Sequence, residues 1–293
     1  VRTVYLGTSD FAVAVLHRLA DSDHRPSLVV TRPDRPRGRG RKVSSPPTAA
    51  AARELGLELD QPESVNSDEA RARIAAAEPE AVLVCAFGAL LKEPLLSDYD
   101  MLNVHPSLLP RWRGAAPVER AIEAGDSVTG VSIMRPTAEL DAGPVHLAAE
   151  EPIGAEDTYG SLAPRLAELG GDLLVEALDS GVEPQPQPGE GVTYAEKITA
   201  ADRRLDPSRP AAELERRVRA LHPHIGAYLE QDDGERLRVL RARAGEGTGG
   251  PLAARDGRLF AGDLELLEVQ PAGGRPMDAA AWLRGHGARL GSS

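Results

Sequence analysis

Three polar residues stand where they could do chemistry together. Asn103 and His105 lie two apart at the end of the short apolar run Met101-Leu102-Asn103-Val104. In extended chain, residues two apart project to the same face, so an amide and an imidazole would share a strand tip. Both can donate a hydrogen bond to a developing oxyanion. Asp141 lies in AELDAG at 138–143, two residues before Gly143. A carboxylate beside an imidazole holds the ring cationic or orients a water that shuttles a proton. Each residue alone has an ordinary structural reading: a turn Asn, a His-Pro step, an Asp-Ala-Gly loop. Spacing therefore raises the trio only as a candidate, and the surrounding elements must bring it together.

The first half of the chain alternates strand and helix signals. Thr3–Leu6, Ser27–Val30, the continuous apolar run Ala81–Ala86, Met101–Val104 and Val131–Met134 read as strands. Residues 10–20 with Asp10 as cap, 46–55 entered through Pro46-Pro47, 67–77 capped by Ser67, and 157–180 read as helices. Strands separated by helices predict an α/β, Rossmann-like, mostly parallel doubly wound sheet. In such a sheet ligands bind beyond the carboxyl ends of the strands, which is where Asn103 and His105 fall. The Pro/Gln-rich stretch 181–191 reads as an extended linker. Beyond it come a helix at 211–221, short strands at 227–231, 236–244, 258–261 and 263–270, and a final helix at 278–284. Turn signals sit at Asp233-Gly234 and Asp256-Gly257, and the alternation in 236–244 changes phase at Leu240, as at a bulge. The organisation expected is a catalytic domain at 1–189, a connection at 190–205 and a small β-barrel (OB-like) domain at 206–293.

Composition narrows the function. The chain has 293 residues, a net charge of -11 and 41% hydrophobic residues, which suits about two globular domains rather than a disordered chain. Residues 206–293 carry thirteen arginines and thirteen carboxylates, so the acidic excess lies in 1–205. Within that acidic part, TRPDRPRGRGRK at 31–42 carries five arginines and one lysine against one aspartate. Such a patch suits a phosphate backbone, although charge runs are more often solvated surface. Gly38 and Gly40, with Pro33 and Pro36, predict an irregular loop there. The lone Cys85 makes no disulfide, and His222-Pro223-His224 has no third residue at ligand spacing, so no protein-bound metal is expected. No secretory signal, transit segment or apolar stretch of spanning length is read, so a cytoplasmic protein without membrane contact is expected. Gly7-Thr8-Ser9-Asp10 lacks the GxGxxG of dinucleotide-binding turns.

The strings NVHPSLLPRWRGAAPVERAI at 103–122, TGVSIM at 129–134 and ELDAGP at 139–144 resemble the folate-dependent formyltransferases. GTSDFA at 7–12 and TYAEKI at 193–198 agree with it, PDRPRGRG at 33–40 and the C-terminal module with QPAGGRPMDAAAWLRG at 270–285 narrow the resemblance to the branch acting on tRNA, and it spans nearly the whole chain. The resemblance implies catalytic roles for Asn103, His105 and Asp141. It implies that Ser107, Leu108, Leu109 and Pro110 border a tetrahydrofolate site, with Phe87, Gly88 and Leu90 walling the pterin pocket. The implied co-substrate is 10-formyltetrahydrofolate, and the implied acceptor is the α-amine of methionyl initiator tRNA. Arg35, Arg37, Arg39, Arg41 and Lys42 would meet that tRNA, with Arg39 in the key position. Arg216, Arg217, Arg219, Arg238, Arg241 and Arg243 are further candidates for its backbone. A monomer is expected.

Three departures stand out: Pro207 where the family tends to have Trp, HPHIGAY at 222–228, and Glu139 where Gly is common. Competing readings are a formyltransferase for another amine, such as a sugar nucleotide or glycinamide ribonucleotide, a nucleotide-binding oxidoreductase, and a non-catalytic RNA-binding protein. The first would keep the trio without needing the basic loop. The second conflicts with the missing GxGxxG, and the third leaves the trio unexplained.

Overall fold

The computed structural model describes residues 1–37, 42–231, 234–247 and 250–286. In chain order the first part contains β1 (Thr3–Gly7), α1 (Asp10–Ala20), β2 (Leu28–Val30), β3 (Arg35–Arg37), β4 (Lys42–Ser44), α2 (Pro47–Glu54) and β5 (Glu58–Asp60). Next come α3 (Asp68–Ala76), β6 (Ala81–Cys85), α4 (Leu95–Asp98), β7 (Met101–His105), β8 (Arg113–Gly114), α5 (Pro117–Ala124), β9 (Val128–Met134) and β10 (Val145–Pro152). The rest is α6 (Tyr159–Ser180), β11 (Tyr194–Ala195), α7 (Ala211–Leu221), β12 (Ala227–Glu230), β13 (Arg236–Ala244), β14 (Leu252–Arg255), β15 (Arg258–Ala261), β16 (Leu264–Gln270), β17 (Met277–Asp278) and α8 (Ala279–His286). Two compact units result: one holds Val1–Gly114, Val128–Pro152 and Ala163–Tyr194, the other Ala115–Ser127, Ile153–Leu162 and the chain from Ala195 onward. The division is thus interleaved in sequence, with α5 counted in the second unit.

The first unit is built on a seven-stranded sheet of order β10-β9-β7-β6-β1-β2-β5. The pairs among β7, β6, β1, β2 and β5 are all parallel. Every residue of β1 and β6 is buried, as expected of near-continuous apolar strands covered on both faces. Helix α1 begins at a Ser9 cap, whose side chain accepts from the Ala12 N–H, so Ser9 rather than Asp10 is the cap. Its Ala12, Val15, Leu16, Leu19 and Ala20 recur at helical spacing and are buried. From β1 the chain winds one way to β2 and β5, then returns to β6 and β7 on the other side. The carboxyl ends of β1 and β6 therefore form the topological switch point where ligands bind in open sheets of this kind.

Two features depart from the sequence reading. Strand β9 runs antiparallel to β7, and β10 closes the edge antiparallel to β9. The β10 sequence VHLAAEEP was not read as a strand because alanine and glutamate have weak β propensity and its residues are only half buried. Where an irregular loop was expected, residues 35–37 and 42–44 form strands β3 and β4 of an antiparallel ribbon, with Pro36 opposite Val43, while residues 38–41, Gly38 and Gly40 among them, lie outside the described residues. A proline fits this two-stranded ribbon because its fixed φ is compatible with extended chain and, among the described residues, no third strand needs its missing N–H.

The second unit contains a six-stranded antiparallel sheet, β12-β13-β16-β15-β14 with β17 on β16, and this matches the small OB-like module expected there. The register slips between Val239 and Arg241, placing a bulge at Leu240 as the phase change predicts. Asp256 and Gly257, at φ 49° and 73°, form the tight turn between β14 and β15. Leu214, Val218 and Leu221 of α7 join Leu237, Val239, Leu266 and Trp282 in one core. Helix α5 escaped the reading of the sequence because it is only eight residues long, begins with a proline and buries Glu119.

Candidate active site

Strands β6 and β7 deliver the site, since their parallel pairing places their carboxyl ends at one edge. Asn103 lies between Val84 and Met134 in register, and His105 lies opposite Ser132. His105 is buried, at 4% exposure. Its Nε2 is 2.9 Å from the Trp112 carbonyl oxygen. A carbonyl only accepts, so Nε2 carries the proton, and Nδ1 is left to exchange a proton with the site. The Asp141 carboxylate stands 3.7 Å from that Nδ1. The gap is too long for a direct hydrogen bond, which lets a water or a substrate atom engage both groups. Among the contacts described, the Asn103 amide meets only the Met134 sulfur, at 3.6 Å, so its donors are lightly engaged.

The antiparallel course of β9 carries the chain away from the β7 tip, and the 135–144 loop must return Asp141 to it. The Arg135 N–H donates to the Pro144 carbonyl at 2.9 Å and closes the loop. A Cβ on Gly143 would lie 1.8 Å from the Arg135 carbonyl oxygen, so this turn admits only glycine. Asp141 itself takes a positive φ of 48°, and its carboxylate accepts the Gly114 N–H at 2.8 Å. Gln187 sits beneath the loop, donating from Nε2 to the Asp141 carbonyl at 2.8 Å and to the Gly143 carbonyl at 2.7 Å. Its Oε1 accepts from buried Arg113, at 3.1 Å from Nε and 2.8 Å from Nη2. Gln187 and Arg113 were missed in the sequence. The first lies in a stretch read as linker, and neither shows any spacing relation to Asp141. In fact Gln185 exchanges two main-chain hydrogen bonds with Val145, so this stretch is bound to the domain.

The residues expected at the folate site divide by role. Fully buried Ser107 spends its hydroxyl on the Arg111 carbonyl at 2.6 Å, strapping the loop after His105. Ser132 ties the same loop, donating to the Ser107 carbonyl at 2.8 Å and accepting the Leu109 N–H at 3.1 Å. These bonds present Leu108, Leu109 and Pro110, all partly exposed, at the strand tip. On the β6 side Phe87 packs into the core, Gly88 turns the chain at φ 71°, and Leu90 is 67% exposed. An exposed leucine beside a glycine turn can cover the face of a flat aromatic ring. Cys85 is not a nucleophile here. Burial pushes its thiol up to about 12, with only the neighbouring Tyr5 hydroxyl opposing, so no thiolate forms near neutral pH.

The basic ribbon stands on an exposed polar base. Asp34 accepts from Gln61 at 2.7 Å and from Ser45 at 2.9 Å, and Arg53 donates to Gln61 at 3.0 Å. These hydrogen bonds, Gln61 first, hold the Asp34 carboxyl below its ordinary range. Arg35 pairs with Glu63. The backbones of Arg37 and Lys42 face each other in the ribbon, whereas Arg39 and Arg41 lie outside the described residues. In the second unit, several arginines expected to meet tRNA are engaged internally. Arg216 and Arg217 bind Glu123, Arg219 binds Glu215 and the Asp157 carbonyl, and Arg243 binds Glu265. His222-Pro223 is a cis step, in keeping with the turn expected there. His224 pairs with Glu119 at 2.9 Å and stacks on Tyr159.

A mostly parallel sheet with an amide, an imidazole and a facing carboxylate gathered at the tip of β7, beside the switch point, has the framework that suits group transfer at a carbonyl carbon. The chain belongs to the formyl transferase family: residues 1–178 match the Formyl transferase domain and residues 197–287 the Formyl transferase C-terminal domain. It is 46% identical over 300 residues to the methionyl-tRNA formyltransferase of Cereibacter sphaeroides, covering all of this chain and 98% of that protein. Solved structures share the fold at low identity. The methionyl-tRNA formyltransferase of Clostridium thermocellum superposes with a TM-score of 0.62 at 15% identity, over 91% of this chain and 99% of that one. HypX from Aquifex aeolicus, solved with tetrahydrofolic acid, gives 0.66 at 18% identity, over 96% of this chain and 46% of that longer one.

Proposed function

We propose that this protein transfers the formyl group of 10-formyltetrahydrofolate to the α-amine of methionyl initiator tRNA. The observation that carries the site assignment is the 3.7 Å approach of Asp141 to the free Nδ1 edge of His105, at the tip of the strand that also bears Asn103. The neutral amine attacks the formyl carbon, and negative charge builds on the formyl oxygen. The Asn103 amide and a protonated His105 Nδ1 donate to that oxygen, where one such donor is commonly worth about 100–1,000-fold in rate. Asp141 takes the proton from the attacking nitrogen, directly or through water, and it passes to N10 as the carbon–N10 bond breaks. Tetrahydrofolate leaves and an amide remains, with no covalent enzyme intermediate.

Leu108, Leu109 and Pro110 with Gly88 and Leu90 hold the folate, while the basic ribbon meets the acceptor end of the tRNA. Recognition rests there on phosphate contacts and on a stem end that opens cheaply. The relatives' shared name and the agreement over the full chain favour tRNA over a sugar nucleotide as acceptor. The same reading puts the enzyme in the cytoplasm, acting as a monomer. Incubation with 10-formyltetrahydrofolate and methionyl initiator tRNA should yield N-formylmethionine on the tRNA. Formylation of a sugar amine with no tRNA product would overturn it.

A further inference from the structure

We infer that Gln187 is a positioning residue of the active site, setting the Asp141 carboxylate against His105 through the main chain of the Asp141 loop. The inference rests on the formyl-transfer reading above for the reaction it assists. Asp141 holds a left-handed backbone that residues with a Cβ disfavour, so something must hold it there. The two protons of one carboxamide do so, bonding the carbonyls of residues 141 and 143 and spanning the turn. The amide cannot be reversed. Its oxygen would then meet two carbonyl oxygens and its NH2 group would meet the Arg113 guanidinium, which only donates. Arg113 is buried and fixes the amide from behind. The Gly114 N–H, next in sequence, fixes the carboxylate in front. The turn is thus gripped at its main chain by Gln187 and at its side chain by Gly114. Only a residue with two donors and an acceptor at this reach can join Arg113 to both carbonyls.

The test is steady-state kinetics on the full-length enzyme with 10-formyltetrahydrofolate and methionyl-tRNA. Gln187→Glu keeps the size and the Arg113 partner but loses both donors. It is expected to lower kcat about tenfold or more, with each KM within about twofold, because misplacing a catalytic group damages the transition state more than ground-state binding. Gln187→Asn, an amide one methylene short, should fall between this variant and wild type. Gln185→Ala, in the same stretch, should leave the rate unchanged. In single-turnover measurements Gln187→Glu should slow an Asp141→Asn enzyme little further, since its effect passes through Asp141. A kcat within twofold of wild type, equal losses in kcat and KM, or full additivity with Asp141→Asn would overturn the inference. If Gln187→Glu is not recovered folded, Gln187→Met carries the same comparisons. A wild-type enzyme that makes no formylated tRNA would instead remove the functional reading itself.

Discussion

The Asp141 loop and the basic ribbon at 35–44 belong to the same unit and are held in opposite ways. The loop has its carboxylate, two of its carbonyls and its closing amide all bonded, the carbonyls by half-buried Gln187, which buried Arg113 fixes in turn. The ribbon has two strands of three residues each, no further strand beside them among the described residues, and a base of exposed polar groups. The contrast fits the roles proposed above for each. Proton transfer and oxyanion stabilisation fail when a group is misplaced by an ångström, so the loop is over-determined. A polyanion is recognised by charge density along its backbone, which tolerates adjustment, so a lightly held basic ribbon suffices.

The comparison predicts that the largest losses come from the loop side. His105→Ala removes a donor and proton carrier, and kcat should fall about 100–1,000-fold, with the melting temperature close to wild type. A variant within tenfold of wild type would take His105 out of the chemistry and leave the tight loop without a purpose. Gly143→Ala comes next. Its Cβ would meet the Arg135 carbonyl oxygen at 1.8 Å, so the loop must open. The expected result is about a tenfold or greater loss in kcat with a melting temperature several degrees lower. Normal kinetics would show that the loop is no better determined than the ribbon.

Most of the architecture was legible because burial writes a pattern into the chain. The continuous apolar run at β6 and the helical spacing in α1 and α6 followed from what each element covers. The Leu240 bulge and the Asp256-Gly257 turn were equally readable, since both are local. Elements that are short or half exposed left no such pattern, which is why α5, β5, β10 and β14 went unread. The site was legible only in its polar residues and the strings around them. What places those residues, from Gln187 clamping Asp141 across 46 positions to Ser132 strapping the loop after His105, is long-range hydrogen bonding that no periodicity records.

For the basic stretch that includes the ribbon strands, the expected effects are smaller and fall on binding; Arg39, named from the sequence, lies outside the described residues. Arg39→Ala should raise the KM for tRNA several-fold, leave the KM for the folate nearly unchanged, and flatten the dependence of tRNA binding on salt. Equal changes in both constants would separate the ribbon from the tRNA and erase the functional half of the contrast.

The smallest effect concerns the base of the ribbon and depends on pH. The carboxyl of Asp34 is lowered from its ordinary 3.8 by hydrogen bonds from Gln61 and then Ser45, with the Arg53 charge assisting against a small opposing effect of burial. A carboxyl whose folded value is depressed stabilises the fold fully above its ordinary value, and that contribution is lost as pH falls through the lowered one. The Gln61 side-chain amide should therefore lose its bonded NMR signature only as pH falls below the ordinary carboxyl value and through the lowered one, while global unfolding changes little because the group is exposed. Asp34→Asn should abolish this local transition, since an amide in that place does not titrate. A signal that does not move over this range would mean that the ribbon's base is held by something other than the Asp34 charge. It would then resemble the catalytic loop more closely than its exposure suggests.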